Sequence, residues 1–84
     1  MENDVQEFYK DWKKAMGTMQ KEASDTVEGF QTLFKKTMSD GALSESEKEC
    51  VALGIAVATQ CVPCIRLHVK KALQAGVSRE QILE

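Results

Sequence analysis

The chain has 84 residues, 43% hydrophobic and 29% charged, the balance of a soluble globular protein and not of a disordered or membrane chain. One domain over residues 1–84 is expected, and a domain this small buries only about 60% of the surface its unfolded chain exposes, so a thin core favours self-association. A net charge of −2, with cations scattered among carboxylates, gives no basic stripe for nucleic acid, and no apolar run approaches the ~18 residues of a membrane span.

The amino-terminal Met1-Glu2-Asn3-Asp4 lacks a charged-then-apolar leader, so a cytoplasmic location is expected. Val5, Phe8, Tyr9, Trp12, Met16 and Met19 then recur at three- and four-residue steps, the stripe of an amphipathic packing helix. After the polar Lys21-Glu22-Ala23-Ser24, the pattern restarts as Val27, Phe30, Leu33, Phe34 and Met38. Ser24 or Asp25 can cap this second helix and Gly41 can end it.

Ser44-Glu45-Ser46-Glu47 supplies a capping box and starts a third helix of about sixteen residues. From Cys50 to Thr59 that helix is apolar around most of its circumference, which predicts a central element sheathed by other helices. A fourth helix begins near Cys61 to Pro63, because proline is tolerated only in the first turn, and ends at Gly76. Ser78-Arg79-Glu80-Gln81 is a second capping box and opens a short fifth helix. Six residues of helix are marginal alone, so a partner subunit or further chain is expected to cover it.

Chemistry concentrates in Cys61-Val62-Pro63-Cys64-Ile65-Arg66-Leu67-His68. Both sulfurs fall in the first turn of helix four, where unpaired amides and the helix dipole favour a thiolate, and a low-pKa cysteine pair is nucleophilic and reversibly oxidisable. An odd cysteine count without a secretion signal argues against a structural disulfide framework, so any bridge should be transient.

His68 lies four residues after Cys64, on the same face and about 6 Å along the axis. If helices three and four form a hairpin, Glu49 lies about 17 Å back from the turn and His68 about 10 Å forward, a mismatch that a carboxylate side chain spans. Glu49 therefore reads equally well as the proton partner of His68 or as one more acid, with Glu45 and Glu47, at a helix start. The helix terminus favours Cys61 as the attacking sulfur and proximity to His68 favours Cys64; spacing leaves the choice open.

Glu49, Cys61, Cys64 and His68, followed by Ala72, Ala75-Gly76-Val77-Ser78 and Glu80-Gln81-Ile82, resemble the carboxymuconolactone decarboxylase superfamily over residues 45–84, specifically its alkylhydroperoxidase D-like branch. The resemblance implies an all-α bundle of about five helices with the cysteine pair at the start of the fourth. It implies a thiol-disulfide oxidoreductase with peroxidase-type antioxidant activity, in which Cys61 and Cys64 form the redox disulfide. It makes His68 and Glu49 the proton relay, breaking the tie over Glu49. The oxidant would be a peroxide or a partner peroxiredoxin, and the reductant an external lipoyl protein or other dithiol, with no bound cofactor and no metal. A homo-oligomer, trimer or hexamer, is implied. Some members carry a histidine between the cysteines where Pro63 stands here, and members usually continue with a further apolar helix. Residues 1–44 carry no resemblance and read as two amphipathic helices packing on helix three.

Rival readings remain. Cys61, Cys64 and His68 with Cys50 would make a zinc site, but Cys50 lies about 16 Å up helix three from the turn. Haem attachment requires histidine immediately after the second cysteine, where Ile65 stands. A lyase of the decarboxylase type is not marked by a cysteine pair. A non-enzymatic helical interaction module would hold its cysteines as inert packing, the role expected for Cys50.

Overall fold

The computed structural model describes residues 2–84, and side chains from residue 6 onward. Val5, assigned above to the first stripe, has its side chain outside the described residues. Those residues form five α-helices and no strand: α1 (Glu2–Glu22), α2 (Ser24–Met38), α3 (Glu45–Ala58), α4 (Val62–Gln74) and α5 (Arg79–Leu83). They fall into two units, one running to Lys36 and the other spanning Thr37–Glu84.

In the first unit, Phe8 stacks on Trp12 at 6.1 Å, as the four-residue spacing predicts, and meets its sequence neighbour Tyr9 edge-on at 5.7 Å. Within this chain Trp12 and Met19 are nonetheless exposed, so the stripe orders the helix surface without becoming core. The separation of α1 from α2 is only Ala23, and helical hydrogen bonding runs through it: the Ala23 amide donates to the Met19 carbonyl at 2.8 Å and Val27 to Ala23 at 3.0 Å. A side-chain cap by Ser24 or Asp25 is therefore not needed. Ser24 is itself helical.

The second unit begins with the end of α2, which stops at Met38, ahead of Gly41. The stop is built by a cation: Lys48 Nζ donates to the carbonyls of Thr37 at 2.8 Å and Ser39 at 2.7 Å, satisfying acceptors at a helix C-terminus. Gly41, read from sequence as the terminator, does not adopt a positive φ. Asp40 accepts from the Glu45 amide at 2.7 Å, so the connecting loop leads directly into α3.

Helix α3 opens on the expected capping box. The Glu47 amide donates to Ser44 Oγ at 3.1 Å and the Ser44 amide to Glu47 Oε1 at 2.9 Å. Glu49, Ala52, Leu53 and Ala56 recur at helical spacing on its covered side, and α3 packs on α4. The expectation that α3 is sheathed on all sides is corrected: Val51, Ile55 and Val57 are exposed, Ile55 by 60%. Within the second unit the helix packs chiefly against α4. Cys50, expected to be inert packing, is likewise exposed.

The connection between α3 and α4, residues 59–61, is short. Gln60 takes φ +55, its amide donates to the Val57 carbonyl at 3.0 Å, and the Cys61 amide donates to the Ala56 carbonyl at 3.0 Å. These two bonds are the Schellman pattern, here with glutamine in the left-handed position that usually falls to glycine. The end of α4 repeats the pattern with Gly76 at φ +94: Gly76 donates to Leu73 at 3.2 Å and Val77 to Ala72 at 3.0 Å, with Ala72 and Val77 buried. Ser78 and Gln81 form the second capping box and α5 follows, packed against α4.

Candidate active site

Cys61 holds two places at once. Its amide closes the end of α3, and its carbonyl accepts the first helical bond of α4 from Ile65 at 2.9 Å. As N-cap of α4 it makes no side-chain cap bond, and Pro63, in the first turn, has no amide hydrogen to offer. Its sulfur is joined instead to Cys64 in a disulfide, with the two Cα atoms 5.2 Å apart. Both cysteines are half-buried. The bond closes across the first turn because the partners are three positions apart and the Cys61 backbone at the helix start is extended.

One turn further, on the face shared with Cys64, stands His68. Its Nδ1 is 2.8 Å from Glu49 Oε2 on α3. The Glu49 side chain is 3% exposed and that of His68 14%, so this pair lies in the seam between the two helices. A carboxylate can only accept, so with Glu49 ionised it is Nδ1–H that donates in this contact, and Nε2 is the ring nitrogen not engaged by it. No buried side-chain nitrogen or oxygen among the described residues lacks a hydrogen-bond partner.

The structure thus brings together Glu49 and His68 across the hairpin, and Cys61 and Cys64 at the mouth of α4, with Cys64 four residues before the imidazole. Cys50, adjacent to Glu49 in sequence, is on the exposed side of α3 and is a free thiol. Among the described residues no group of three or more histidine, cysteine, aspartate or glutamate side chains is placed to hold a metal ion. Nor is any helix long and apolar enough to cross a membrane.

Sequence reasoning puts the hairpin turn at Gln60-Cys61 but does not foresee the left-handed backbone of Gln60. That conformation makes the turn short enough for Cys61 to end one helix and start the next, yet no glycine or asparagine marks the position. The signal that remained was spacing: an apolar helix ending at Thr59 and a proline-marked one starting two residues later leave room only for a tight turn.

Comparison with known proteins follows the same segment. A family model described as the carboxymuconolactone decarboxylase family matches residues 24–84, from the first residue of α2 and so beyond the 45–84 stretch that carries the motif. A Paracoccus denitrificans protein described as uncharacterized protein 4 in the cox locus is 37% identical over 70 residues, which is 83% of this chain and 63% of that protein. An uncharacterized protein of Cupriavidus necator is 27% identical over 84 residues, covering 100% of this chain and 74% of the relative. One from Haemophilus influenzae is 29% identical over 72 residues, covering 86% and 64%. The chain therefore spans less than two thirds of the Paracoccus and Haemophilus relatives. No solved structure matches it significantly.

Proposed function

This chain belongs to the carboxymuconolactone decarboxylase family, and from that premise we propose that it is a thiol-disulfide oxidoreductase that reduces peroxides. The family includes both decarboxylases and alkylhydroperoxidases. The observation that carries the oxidoreductase reading is the Cys61–Cys64 disulfide at the start of α4, with the Glu49–His68 pair one turn behind it. A lyase has no use for a reversible sulfur pair, so this arrangement favours the redox branch.

In the reduced state a cysteine thiolate at the helix mouth is stabilised by the first-turn amides and the dipole. It attacks the terminal peroxide oxygen, the O–O bond breaks, and the leaving alkoxide takes a proton that His68 supplies. The sulfenic acid so formed is attacked by the second cysteine, water leaves, and the disulfide closes. Glu49 fixes the imidazole tautomer and balances the charge that develops on it. A dithiol of the lipoyl type, external to the chain, then returns the pair to two thiols. No cofactor is bound in this scheme, and a peroxiredoxin disulfide is the alternative oxidant. The exposed apolar side of α3 supports assembly as a homo-oligomer.

The test is dihydrolipoamide-dependent peroxide reduction by the unmodified chain and by Cys61→Ser, Cys64→Ser and His68→Gln. Both serine variants should lose nearly all activity and His68→Gln a smaller part. Full activity in both serine variants ends this reading.

A further inference from the structure

We propose that the outward face of α4, formed by Val62, Pro63, Leu67, Lys70 and Leu73, is the docking surface for an acidic protein that carries the reducing dithiol. The inference rests on the redox reading above and names the partner of that same site.

Geometry comes first. Cys64, Ile65, His68 and Ala72 line the side of α4 that is wholly or partly covered, while Val62, Pro63, Leu67, Lys70 and Leu73 recur at helical spacing on its exposed side. Val62 and Leu73 are each 52% exposed, a large apolar presence on a thirteen-residue helix. Val62 and Pro63 are also the two residues enclosed by the disulfide. A thiolate attacks a disulfide along the axis of the S–S bond, so a protein delivering that thiolate to Cys61 or Cys64 must cover what flanks them. The apolar patch is therefore contiguous with the reacting atoms and is not a distant surface.

Charge identifies the occupant. Helix α4 carries Arg66, Lys70 and Lys71 and no carboxylate, in a chain whose net charge is −2. Lys70 is exposed in the middle of the face, with Val62 and Leu67 toward the disulfide and Leu73 beyond it. A small apolar contact with an exposed cation at its centre suits a transient partner of opposite sign: attraction raises the encounter rate and the modest contact lets the product leave. A second copy of this chain would bring the same cations against themselves if α4 faced α4.

The exchange balances without another reagent. One partner thiolate attacks a sulfur of the Cys61–Cys64 disulfide, the S–S bond breaks, and the displaced sulfur leaves as a thiolate and takes up a proton. The partner's second thiolate attacks the mixed disulfide, which frees the other cysteine and closes the partner's own disulfide. Two electrons and two protons pass to this chain, and the partner is oxidised.

The experiment compares two reductants of the oxidised chain, dihydrolipoamide and a reduced lipoyl domain of net negative charge. The second-order rate with the domain should fall about tenfold between about 0.02 and about 0.3 M salt, while that with dihydrolipoamide changes less than about twofold. Lys70→Glu should lower the ratio of the two rates about tenfold, and Lys70→Arg should keep it. Equal salt responses, with a ratio unmoved by Lys70→Glu, overturn the proposal. So does sedimentation showing that Lys70→Glu breaks an oligomer, which would assign the face to copies of this chain. If dihydrolipoamide itself leaves the disulfide intact, the redox reading falls and this inference with it, a result distinct from failure of docking alone.

Discussion

Glu49 and His68, nineteen residues apart, meet at 2.8 Å in the seam of the α3–α4 hairpin, and Glu49 is only 2% exposed. A carboxylate so enclosed has the imidazole as its side-chain partner, and in the proposed scheme it would act on the sulfurs through that ring. Replacing Glu49 by glutamine preserves shape and removes the charge. We expect peroxide reduction to fall on the order of tenfold to a hundredfold, less than complete loss of an acid-base group. The pH–rate profile should change shape as well, which a purely structural role would not cause. Steady-state rates of Glu49→Gln across pH check both.

The start of α3 gives a pH prediction. Glu47 accepts from the Ser44 amide, and this bond, with the Ser44 hydroxyl contact, holds its carboxyl below the ordinary value of 4.5. A carboxyl lowered on folding contributes stability that is present above the unfolded value and is lost as pH falls through the folded one. The Tm advantage of the unmodified chain over Glu47→Gln should therefore hold at neutral pH, begin to shrink as pH falls below the ordinary 4.5, and be lost once pH passes below the lowered folded value. Ser44→Ala, which removes the hydroxyl half of the box, should cost about 1 kcal/mol.

Two left-handed residues make opposite predictions. Gln60 at φ +55 bears a conformational cost of about 1 kcal/mol that glycine would not, so Gln60→Gly should be neutral or stabilising. Gly76 at φ +94 meets no atom within 4 Å of an added Cβ, so Gly76→Ala should cost about 1 kcal/mol or more through backbone strain alone. Denaturant midpoints of the two variants test the pair.

Cys50 is a free, exposed thiol, whereas Cys61 and Cys64 are bonded to each other. Alkylation of the oxidised chain should add one label, and alkylation after reduction three, as read by intact mass. Cys50→Ser should leave peroxide reduction unchanged, since the proposed cycle uses only Cys61 and Cys64.

Most of the helical plan was legible because local rules govern it. The two capping boxes, the proline in the first turn of α4 and Gly76 all act within a few residues, and each does what its chemistry requires. What escaped depended on nonlocal or atypical partners. Lys48 reaches back to end α2 where Gly41 had been expected to, and continuous amide bonding through Ala23 leaves no room for a Ser24 cap. The exposed side of α3, with Cys50 on it, depends on which neighbours a helix meets, a property that apolar composition does not encode. At the site, the Cys-x-x-Cys-x-x-x-His spacing was visible, but spacing left Glu49 balanced between two roles. Resemblance tipped that balance, and the 2.8 Å contact now gives it a geometry.

The most direct measurement is a single turnover. Fully reduced chain is mixed with one equivalent of peroxide, and the disulfide is located by mass spectrometry of peptides while residual peroxide is assayed. We expect one Cys61–Cys64 bond formed for each peroxide consumed, with Cys50 still a thiol. Peroxide left unconsumed, or consumed while Cys61 and Cys64 stay reduced, would contradict the account.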